Sequence, residues 1–478
     1  RNCASLTEFS FPLGVTTIEP YAFDGCSGLT SLSMPALLDT VSGGSFSGCS
    51  RLLEIDVDPS NTYFSSVEGV LFDLNKTLLI RYPMGRASTS YSVPSSVTTI
   101  GTVAFAGCAN LTEIDLPSSV GAIGGGAFSD CTALERFAIP PAVTTIGAGT
   151  FRRCRHLAEV SLPDGLTSIG HEAFMDCTGL TSIAIPGSVE RLEPSPFQGC
   201  SSMVCLVVDP QNQTFASSDG IVFNKSFSEI LRYPQGKNGS SYNIPPGITS
   251  IGRGAFYGCD QLSDINFSSG VSVIGSSSFN GCGNLSVVTL PDSIIEVGPG
   301  SFEACDALLA VIFLGDAPDL TGHTNTTFAD TASGFTLRYL SGSMGFTSPT
   351  WFGYPAISID ESSFPPARWL LEHGLRHDAN LHQDLNGDGV SLLVAYALDL
   401  DPNLNLQSAL PRPVLSSGSL SLSYHSISPG ITYTVEASAD LKNWSSHGVA
   451  VSAEPPALHR ASVDLDSPLR FMRLLIED

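Results

Sequence analysis

Hydrophobic and polar positions recur along this chain with a spacing of 23 residues. Between Ile100 and Pro186, four consecutive segments repeat one pattern: a Gly-rich stretch, a Phe, a Cys three residues later, a Leu three residues after the Cys, and two apolar residues that alternate with polar ones. Such a period predicts a stack of similar structural units. The alternating stretch predicts a short strand with one buried face, the segment from Phe to Cys a single helical or 3₁₀ turn, and the Gly-rich stretch a bend.

The cysteines extend this register over most of the chain. Successive cysteines of the column are 23 residues apart, except for two intervals of 59 residues. Because 59 is 23 plus 36, each long interval contains one enlarged coil, and we assign these coils to residues 58–84 and 209–235. The column consists of Cys3, Cys26, Cys49, Cys108, Cys131, Cys154, Cys177, Cys200, Cys259, Cys282 and Cys305.

Each enlarged coil contains two apolar runs on either side of a polar turn, for example residues 70–72 and 78–80. This pattern predicts a β-hairpin, which we expect to project from the edge of the solenoid. Two interpretations remain open. The hairpin is either a structural bulge held by a salt bridge at its Arg-Tyr-Pro exit, or a binding feature, because protruding loops often carry function.

Ten phenylalanines, each three residues before a cysteine, predict a common core. A coil of 23 residues cannot bury a Phe, a Leu and two further apolar side chains by itself, so burial requires the neighbouring coils. The sequence therefore predicts a β-rich α/β solenoid of about 13 coils, eleven with a cysteine and two enlarged, followed by a small all-β C-terminal domain. The phenylalanines are Phe23, Phe46, Phe105, Phe128, Phe151, Phe174, Phe197, Phe256, Phe279 and Phe302.

Eleven of the twelve cysteines occupy one position per coil. Neighbouring strands lie about 4.8 Å apart, which is within disulfide range, but parallel Cβ vectors disfavour the torsion that a disulfide needs. We therefore predict a column of buried, reduced thiols that pack as small hydrophobic side chains. Metal binding by the column is not expected, because no C-x-x-C spacing occurs.

The repeat resembles the BspA-type leucine-rich repeat family of bacterial surface proteins. The resemblance rests on the Phe and Cys positions, the spacing of 23 residues and the variant of 36 residues, and it covers about residues 1–316. It implies a curved solenoid, repeats without enzymatic activity, and an adhesive or protein-binding role at the cell surface. We therefore assign residues 1–316 to the solenoid.

The composition and charge of the chain limit the partners and the cellular location that we expect for it. The chain has 46 acidic and 22 basic residues and a net charge of −24, so we do not expect it to bind nucleic acid. No apolar run approaches 18 residues, so no transmembrane segment is predicted. The sequence begins at Arg1 inside a coil, and we expect a signal peptide, not present in this sequence, to precede it. These features favour a secreted or cell-surface protein.

The polar positions of the strands predict an exposed, concave face. Late coils place apolar residues there, including Val204, Val207, Val287, Leu309 and Ile312. Such a patch usually marks a contact, so either the C-terminal segments cover it or it binds a partner. Cys205, the one thiol outside the column, lies in it. Early coils place acidic residues on the same face, and the candidate ligand-binding set is Glu54, Asp56, Glu113, Asp115, Glu135 and Glu159.

The period ends near residue 317. Residues 317–360 keep one degenerate coil and resemble the C-terminal cap of such solenoids. Residues 361–407 are assigned to a linker and helical segment. Residues 408–478 contain short alternating runs between turns, which predicts a small all-β module, and they resemble a tail module of large secreted bacterial proteins.

A candidate calcium loop lies in the helical segment. Asp384, Asn386 and Asp388 stand at its first, third and fifth positions, with Gly at the sixth. The stretch resembles the loops of dockerins and thrombospondin type 3 repeats, which implies weak calcium binding by these three residues. Ala395 departs from the pattern, because an EF-hand has a bidentate carboxylate there, so a calcium-free turn is the alternative. Nearby, His373 and His377 have the spacing of zinc ligands on a helix, but no third ligand is evident.

No motif in the sequence indicates catalysis. It contains no G-x-S-x-G elbow, no P-loop lysine motif and no H-E-x-x-H. We therefore predict a non-catalytic, adhesin-like binding protein that holds a protein or glycan ligand on its sheet face and hairpins. The alternative is a rigid structural spacer that displays or anchors other domains, and a hydrolytic enzyme is the least favoured reading.

Overall fold

The computed structural model shows a β-solenoid of about 15 turns followed by a small all-β domain, which confirms the predicted fold class. The number of turns exceeds the prediction because two further strands continue the stack after the last cysteine. The structure describes residues 1–12, 14–320, 326–360, 367–373, 375, 379–416, 419–426, 428–429, 431–438, 445–446, 449–454, 457–464 and 471–477.

One wall of the solenoid is a series of parallel strands that follow the Leu of each coil, which we call the long-strand ladder. Residues 23 apart face each other, as Ser31 does with Glu54 and Arg136 with Glu159. The central apolar residue is buried and its neighbours are exposed, as in Glu113–Asp115. The strands are Ser31–Met34, Glu54–Val57, Ser90–Ser92, Glu113–Asp115, Arg136–Ala138, Glu159–Ser161, Ser182–Ile185, Cys205–Val208, Ser241–Asn243, Asp264–Asn266, Val287–Leu290, Ala310–Phe313, Thr336–Leu340 and Tyr354–Ile359.

A second wall, the short-strand ladder, is built from two-residue strands that precede the Gly-rich stretches. The sequence pattern predicts only a bend in this part of the coil and gives no sign of this wall, because two residues are too few to show an alternating pattern. The strands are Thr17–Ile18, Thr40–Val41, Thr99–Ile100, Ala122–Ile123, Thr145–Ile146, Ser168–Ile169, Arg191–Leu192, Ser250–Ile251, Val273–Ile274 and Glu296–Val297.

The segments from Phe to Cys form turns, and their phenylalanine rings stack inside the solenoid. The turn of one coil is closed by the N–H of Cys131, which donates to the carbonyl oxygen of Phe128 at 3.2 Å. The rings of Phe151 and Phe174 are parallel within 5° and their centroids are 5.2 Å apart. All ten phenylalanines of the predicted core are buried, so the common core is confirmed.

The cysteine column is a series of thiols that hydrogen-bond to the preceding coil. The Sγ of Cys154 donates to the carbonyl oxygen of Phe128 at 3.1 Å, and that of Cys177 to Phe151 at 3.0 Å. Every cysteine is free, and the column is buried from Cys26 onward, whereas Cys3 is exposed. The predicted column of reduced thiols is thus confirmed except at its first member.

Each enlarged coil inserts a three-stranded antiparallel meander into the solenoid. The third strand of each meander, Leu78–Arg81 or Glu229–Arg232, runs parallel to the next strand of the short-strand ladder. The first meander consists of Phe64–Val67, Val70–Asp73 and Leu78–Arg81, and the second of Phe215–Ser218, Ile221–Asn224 and Glu229–Arg232.

The meanders run through the core, so the prediction that they project from the solenoid edge was wrong. Val70, Leu71 and Phe72 are completely buried. Leu71 packs with the coils before the meander, whereas Val70 and Phe72 pack with the coils after it. The hairpin pattern specified how the strands pair but not where the hairpin lies, and an uninterrupted apolar run is typical of a strand buried on both faces. We call these meanders the first septum and the second septum.

The septa divide the interior of the solenoid into three main apolar clusters. The second septum repeats the arrangement of the first, because Val222 packs with the middle cluster and Ile221 and Phe223 pack with the last one. The phenylalanine stack is interrupted at the same places, since it runs from Phe105 to Phe197 and again from Phe256 to Phe328.

At each septum, other residues occupy the Phe and Cys positions of the repeat. Tyr82 stands 23 residues before Phe105 and stacks on its ring, with centroids 5.4 Å apart. Gly85 occupies the cysteine position, where a Cβ would lie 2.4 Å from the carbonyl carbon of Arg51. A thiol therefore has no room at this position.

Two buried arginines donate the hydrogen bonds that a column thiol would otherwise donate at each septum. Arg81 donates to the carbonyl oxygens of Phe46 at 3.4 Å and Ala106 at 3.0 Å, and Arg232 donates to those of Phe197 at 3.0 Å and Gly254 at 2.7 Å. The structural interpretation of the hairpins included a salt bridge at these positions. Within the described part of the chain, neither guanidinium group meets a carboxylate at ion-pair distance, so their partners are backbone carbonyls instead.

After the solenoid, the chain forms two short helices, α1 (Ala367–Glu372) and α2 (Leu392–Ala397). Leu371 of α1 packs on Ile312 and Leu340 of the long-strand ladder. In the described residues, no helix is long and apolar enough to cross a membrane.

The C-terminal domain consists of antiparallel strands, and the predicted all-β class is confirmed. They form one sheet of four strands and one of two, while Thr350–Trp351 pairs separately with Tyr354–Ile359 at the end of the solenoid. The strands of the domain are Val414–Ser416, Ser419–His425, Thr432–Ser438, Ala450–Glu454, Leu458–Asp464 and Phe471–Glu477.

Candidate binding surface

The polar side of the long-strand ladder is an exposed surface, which we call the outer face. Each regular strand presents to it the fifth and seventh residues after the cysteine, because successive side chains of a strand point to opposite sides. In the coil of Cys108 these residues are Glu113 and Asp115, both exposed, with the buried Ile114 between them. The side chains of neighbouring strands therefore form a grid that the backbone holds in place.

Four of the six acidic residues in the predicted ligand-binding set lie together on this face. Glu113, Asp115 and Glu159 stand at these positions, and Glu135 lies one residue before the strand Arg136–Ala138. All four are exposed and belong to three consecutive coils, so they span two strand spacings, about 10 Å. We call them the acidic strip. Their negative charges favour a partner with cationic groups.

Arg136 lies inside the acidic strip, in register with Glu159. Its single positive charge among four carboxylates leaves the strip with a net charge of about −3. Arg136 is not in the predicted ligand-binding set, which contains acidic residues only. Counting five residues from Cys131 would have placed it on the outer face.

Glu54 and Asp56 lie apart from the acidic strip. The strand Ser90–Ser92 separates them from it, and the first septum fills the gap beside Glu54. The N–H of Ile55 donates to the carbonyl oxygen of Gly69 at 2.9 Å, and a Cβ on Gly69 would lie 2.7 Å from that of Glu54. The structure therefore places the six predicted residues on one face but in two groups.

The C-terminal end of the apolar part of the outer face is covered by α1. Leu371 of α1 buries Ile312, as expected if the C-terminal segments provide a cover. Val204, Val207 and Leu309 remain 42%, 50% and 51% exposed. For these three residues the partner interpretation stays open.

The predicted calcium ligands lie in a turn that is closed by hydrogen bonds of their own side chains. These ligands are Asp384, Asn386 and Asp388. Asp384 accepts a hydrogen bond of 2.8 Å from the N–H of Gly389, and the side-chain nitrogen of Asn386 donates to the carbonyl oxygen of Leu404 at 2.7 Å. Among the described residues, no group of three or more His, Cys, Asp or Glu side chains has an arrangement that could hold a metal ion.

Asp388 connects this turn to the segment after α2. Its carboxylate accepts hydrogen bonds from the N–H groups of Leu406 at 2.6 Å and Val390 at 2.8 Å. The bond from Leu406 is the main cause of the lowered pKa of Asp388, because it favours the ionised form. Of the histidine pair considered for zinc, His377 lies outside the described residues.

The family of the chain follows from its sequence match. It matches the BspA type leucine rich repeat region, in six copies, over residues 1–70, 84–204 and 234–335, which together make up more than half of the chain. The chain belongs to the BspA-type leucine-rich repeat family. The breaks in the BspA-type match contain most of both septa, where the regular repeat is interrupted by the meanders.

Solved structures of bacterial leucine-rich repeat proteins are similar in fold to this BspA-type chain. A leucine rich cell surface protein from Faecalibacterium prausnitzii A2-165 is 22% identical, the match covers 79% of this chain and 89% of that one, and the TM-score is 0.51. The pneumococcal vaccine antigen PcpA is 20% identical, with 69% and 87% covered and a TM-score of 0.47. No curated protein matches the sequence significantly.

Proposed function

We propose that this BspA-type protein is a secreted or cell-surface binding protein, adhesin-like and non-catalytic, which holds a protein or glycan ligand on its outer face. Its family is typical of bacterial surface proteins with binding roles, which supports a binding function at the cell surface.

The observation that carries this proposal is the character of the outer face. It is a long exposed grid whose side chains stand on a hydrogen-bonded ladder, and it combines the acidic strip with the exposed Val204 and Val207. A surface that is already ordered loses little conformational freedom on binding. The central strands of the septa are buried, so of the hairpins that the sequence suggested as binding features only the turns at residues 74–77 and 225–227 are exposed.

The proposal is tested by removing charge from the acidic strip. We expect the Glu113→Gln, Asp115→Asn double variant to lose binding to ligands found on arrays of host glycans and purified extracellular proteins. This binding should also weaken with salt, because exposed charges are screened. The matched control is the Asp164→Asn, Glu190→Gln double variant, which removes two exposed charges outside the outer face, one in a turn and one directly before the strand Arg191–Leu192.

The structural spacer is the second candidate function, and the stacked core favours it. Phenylalanine stacks and parallel ladders connect successive coils without a flexible linker, which suits a rigid connecting rod. If the wild type retains nothing specifically on either array, the spacer is supported and the binding function is wrong.

Calcium binding by the loop is also a proposal. Asp384 and Asp388 would supply carboxylate oxygens and Asn386 an amide oxygen, the ligand class that calcium prefers. Ala395 is buried in α2 and supplies no ligand, so we expect the binding to be weak.

A further inference from the structure

Helix α1 lies over the outer face of the last coils and roofs a cleft of about 1020 Å³, the roofed cleft. Four strands form its floor, and α1 with the residues after it forms its roof. Its lining residues include Asp264, Val287, Leu309, Ile312, Arg338 and Leu371.

Two contacts hold the roof in place. Leu371 packs against Ile312, Leu340 and Ile359 of the ladder. At the rim, the guanidinium of Arg368 lies 3.2 Å from the carboxylate of Asp292. The cleft is therefore formed by the tertiary packing of α1 on the solenoid, at a place distinct from the acidic strip.

Opposite charges mark the two ends of the roofed cleft. Asp264 stands on the first floor strand and is partly buried, and its side-chain contact is the amide nitrogen of Asn266 at 3.3 Å. Arg338 stands on the fourth strand, and its Nε donates to the hydroxyl of Thr336 at 3.4 Å. Neither charged group has an ion-pair partner in the part of the chain that the structure describes, although desolvating a charge is costly unless it is paired.

Aliphatic side chains lie between these charges. Val287 and Leu309 are 41% and 51% exposed on the floor, next to the buried Ile312. From the strand Asp264–Asn266 to the strand Thr336–Leu340 the ladder takes three steps, which corresponds to about 14 Å. The cleft thus offers a carboxylate, an apolar floor and a guanidinium in a row.

We infer that the roofed cleft binds a peptide segment of a partner protein, in which a basic and an acidic side chain about four residues apart flank aliphatic residues. The basic group pairs with Asp264, the acidic group with Arg338, and the aliphatic side chains cover Val287 and Leu309. A neutral saccharide would leave both charges unpaired. This inference rests on the proposed binding function and assigns it a second site with its own ligand chemistry.

The test uses three labelled, capped pentapeptides and fluorescence anisotropy at low salt. All three have the central sequence Leu-Val-Leu. The mixed peptide has Lys at one end and Glu at the other, the second peptide has Lys at both ends, and the third has Glu at both ends. We expect the mixed peptide to bind about fivefold more tightly than either of the other two, because it forms one more favourable charge pair with the cleft than they do. Asp264→Asn should remove the advantage over the peptide with two Glu, and Arg338→Gln the advantage over the peptide with two Lys. The matched variant Asp164→Asn, at an exposed position outside the cleft and the acidic strip, should keep both advantages. Equal melting temperatures of the variants check that each is folded.

Equal affinity for all three peptides, or unchanged binding by Asp264→Asn and Arg338→Gln, overturns the inference. So does binding of maltohexaose that depends on Asp264 when the mixed peptide does not bind, because the cleft is then a glycan site. Failure of the proposed function can be told apart from failure of this inference. The proposed function is tested by binding of array ligands and by the Glu113→Gln, Asp115→Asn variant, and the inference by binding of the pentapeptides.

Discussion

The guanidinium of Arg232 donates a hydrogen bond of 3.0 Å to the carbonyl oxygen of Phe197, in the place where other coils use a thiol. In the regular coil before it, the Sγ of Cys200 donates to the carbonyl oxygen of Phe174 at 3.1 Å. Gly236 occupies the cysteine position at the second septum, so the donor must come from another residue. Arg232 thus connects the septum to the coil on its N-terminal side.

Replacement of this arginine should destabilise the solenoid. We expect Arg232→Met to lower the free energy of unfolding by about 2–4 kcal/mol, because the buried carbonyl groups of Phe197 and Gly254 lose their donor. Urea denaturation of this variant and of Arg253→Met, at an exposed position, measures the difference. Equal midpoints for both variants would show that these hydrogen bonds contribute nothing.

The column thiols should resist chemical modification in the folded protein. Burial raises the pKa of Cys200 to about 12, so its reactive thiolate is scarce. Cys3 is exposed and Cys205 partly exposed, and the other ten of the twelve cysteines are buried. Mass spectrometry after iodoacetamide treatment at pH 8 should find label on these two cysteines, and on all twelve after denaturation. Labelling of Cys154 in the native protein would contradict the buried column.

Alkaline pH should destabilise the fold through the same thiols. Burial raises the pKa of Cys108 from 9.0 to about 12. The unfolded chain therefore loses this proton at a lower pH than the folded chain does, and the contribution to stability is complete below pH 9 and lost as the pH rises towards 12. For each such thiol, the free energy of unfolding should fall by about 1.4 kcal/mol for every pH unit between the pKa of the unfolded chain and that of the folded chain. Denaturation curves from pH 9 upward should show a smaller slope for Cys108→Ala than for the wild type, whereas Leu53→Ala, at an exposed position without a titrating group, should keep the wild-type slope.

The two faces of the first septum should act on different parts of the solenoid. Leu71 packs with the N-terminal cluster and Phe72 with the middle one. We expect Leu71→Ala to raise amide hydrogen exchange in peptides around Ile55, and Phe72→Ala to raise it around Ile100. Large-to-small changes in a core cost about 2–5 kcal/mol, which is enough to detect locally. The same set of affected peptides in both variants would mean that the septum does not separate the clusters.

Calcium binding by the loop should be weak and specific to its side chains. Isothermal titration should give a dissociation constant on the order of 10⁻⁴–10⁻³ M for the wild type, since the site has few charged ligands. The Asp384→Asn, Asp388→Asn double variant should show no binding heat, and Asp306→Asn, at an exposed site in the solenoid, should behave like the wild type. Equal heats in all three proteins would leave the calcium-free turn as the correct interpretation.

The amino-acid sequence by itself determined the register of the solenoid and the composition of its core. Each Phe and Cys meets almost the same neighbours as its counterpart 23 residues away, so the fixed spacing was enough to predict the stack, the free thiols and the alternating exposure of Glu113 and Asp115. The regular coils are specified by contacts between adjacent repeats, and the repeat pattern contains that information.

Only the tertiary structure decided where the irregular parts of the chain lie. A hairpin pattern defines strand pairing, yet burial of Leu71 and Phe72 on opposite sides depends on apolar clusters formed by distant coils. Similarly, Asp264 and Arg338 are 74 residues apart and share a cleft only because α1 packs over the ladder between them. Such placements result from long-range packing, which no local pattern specifies.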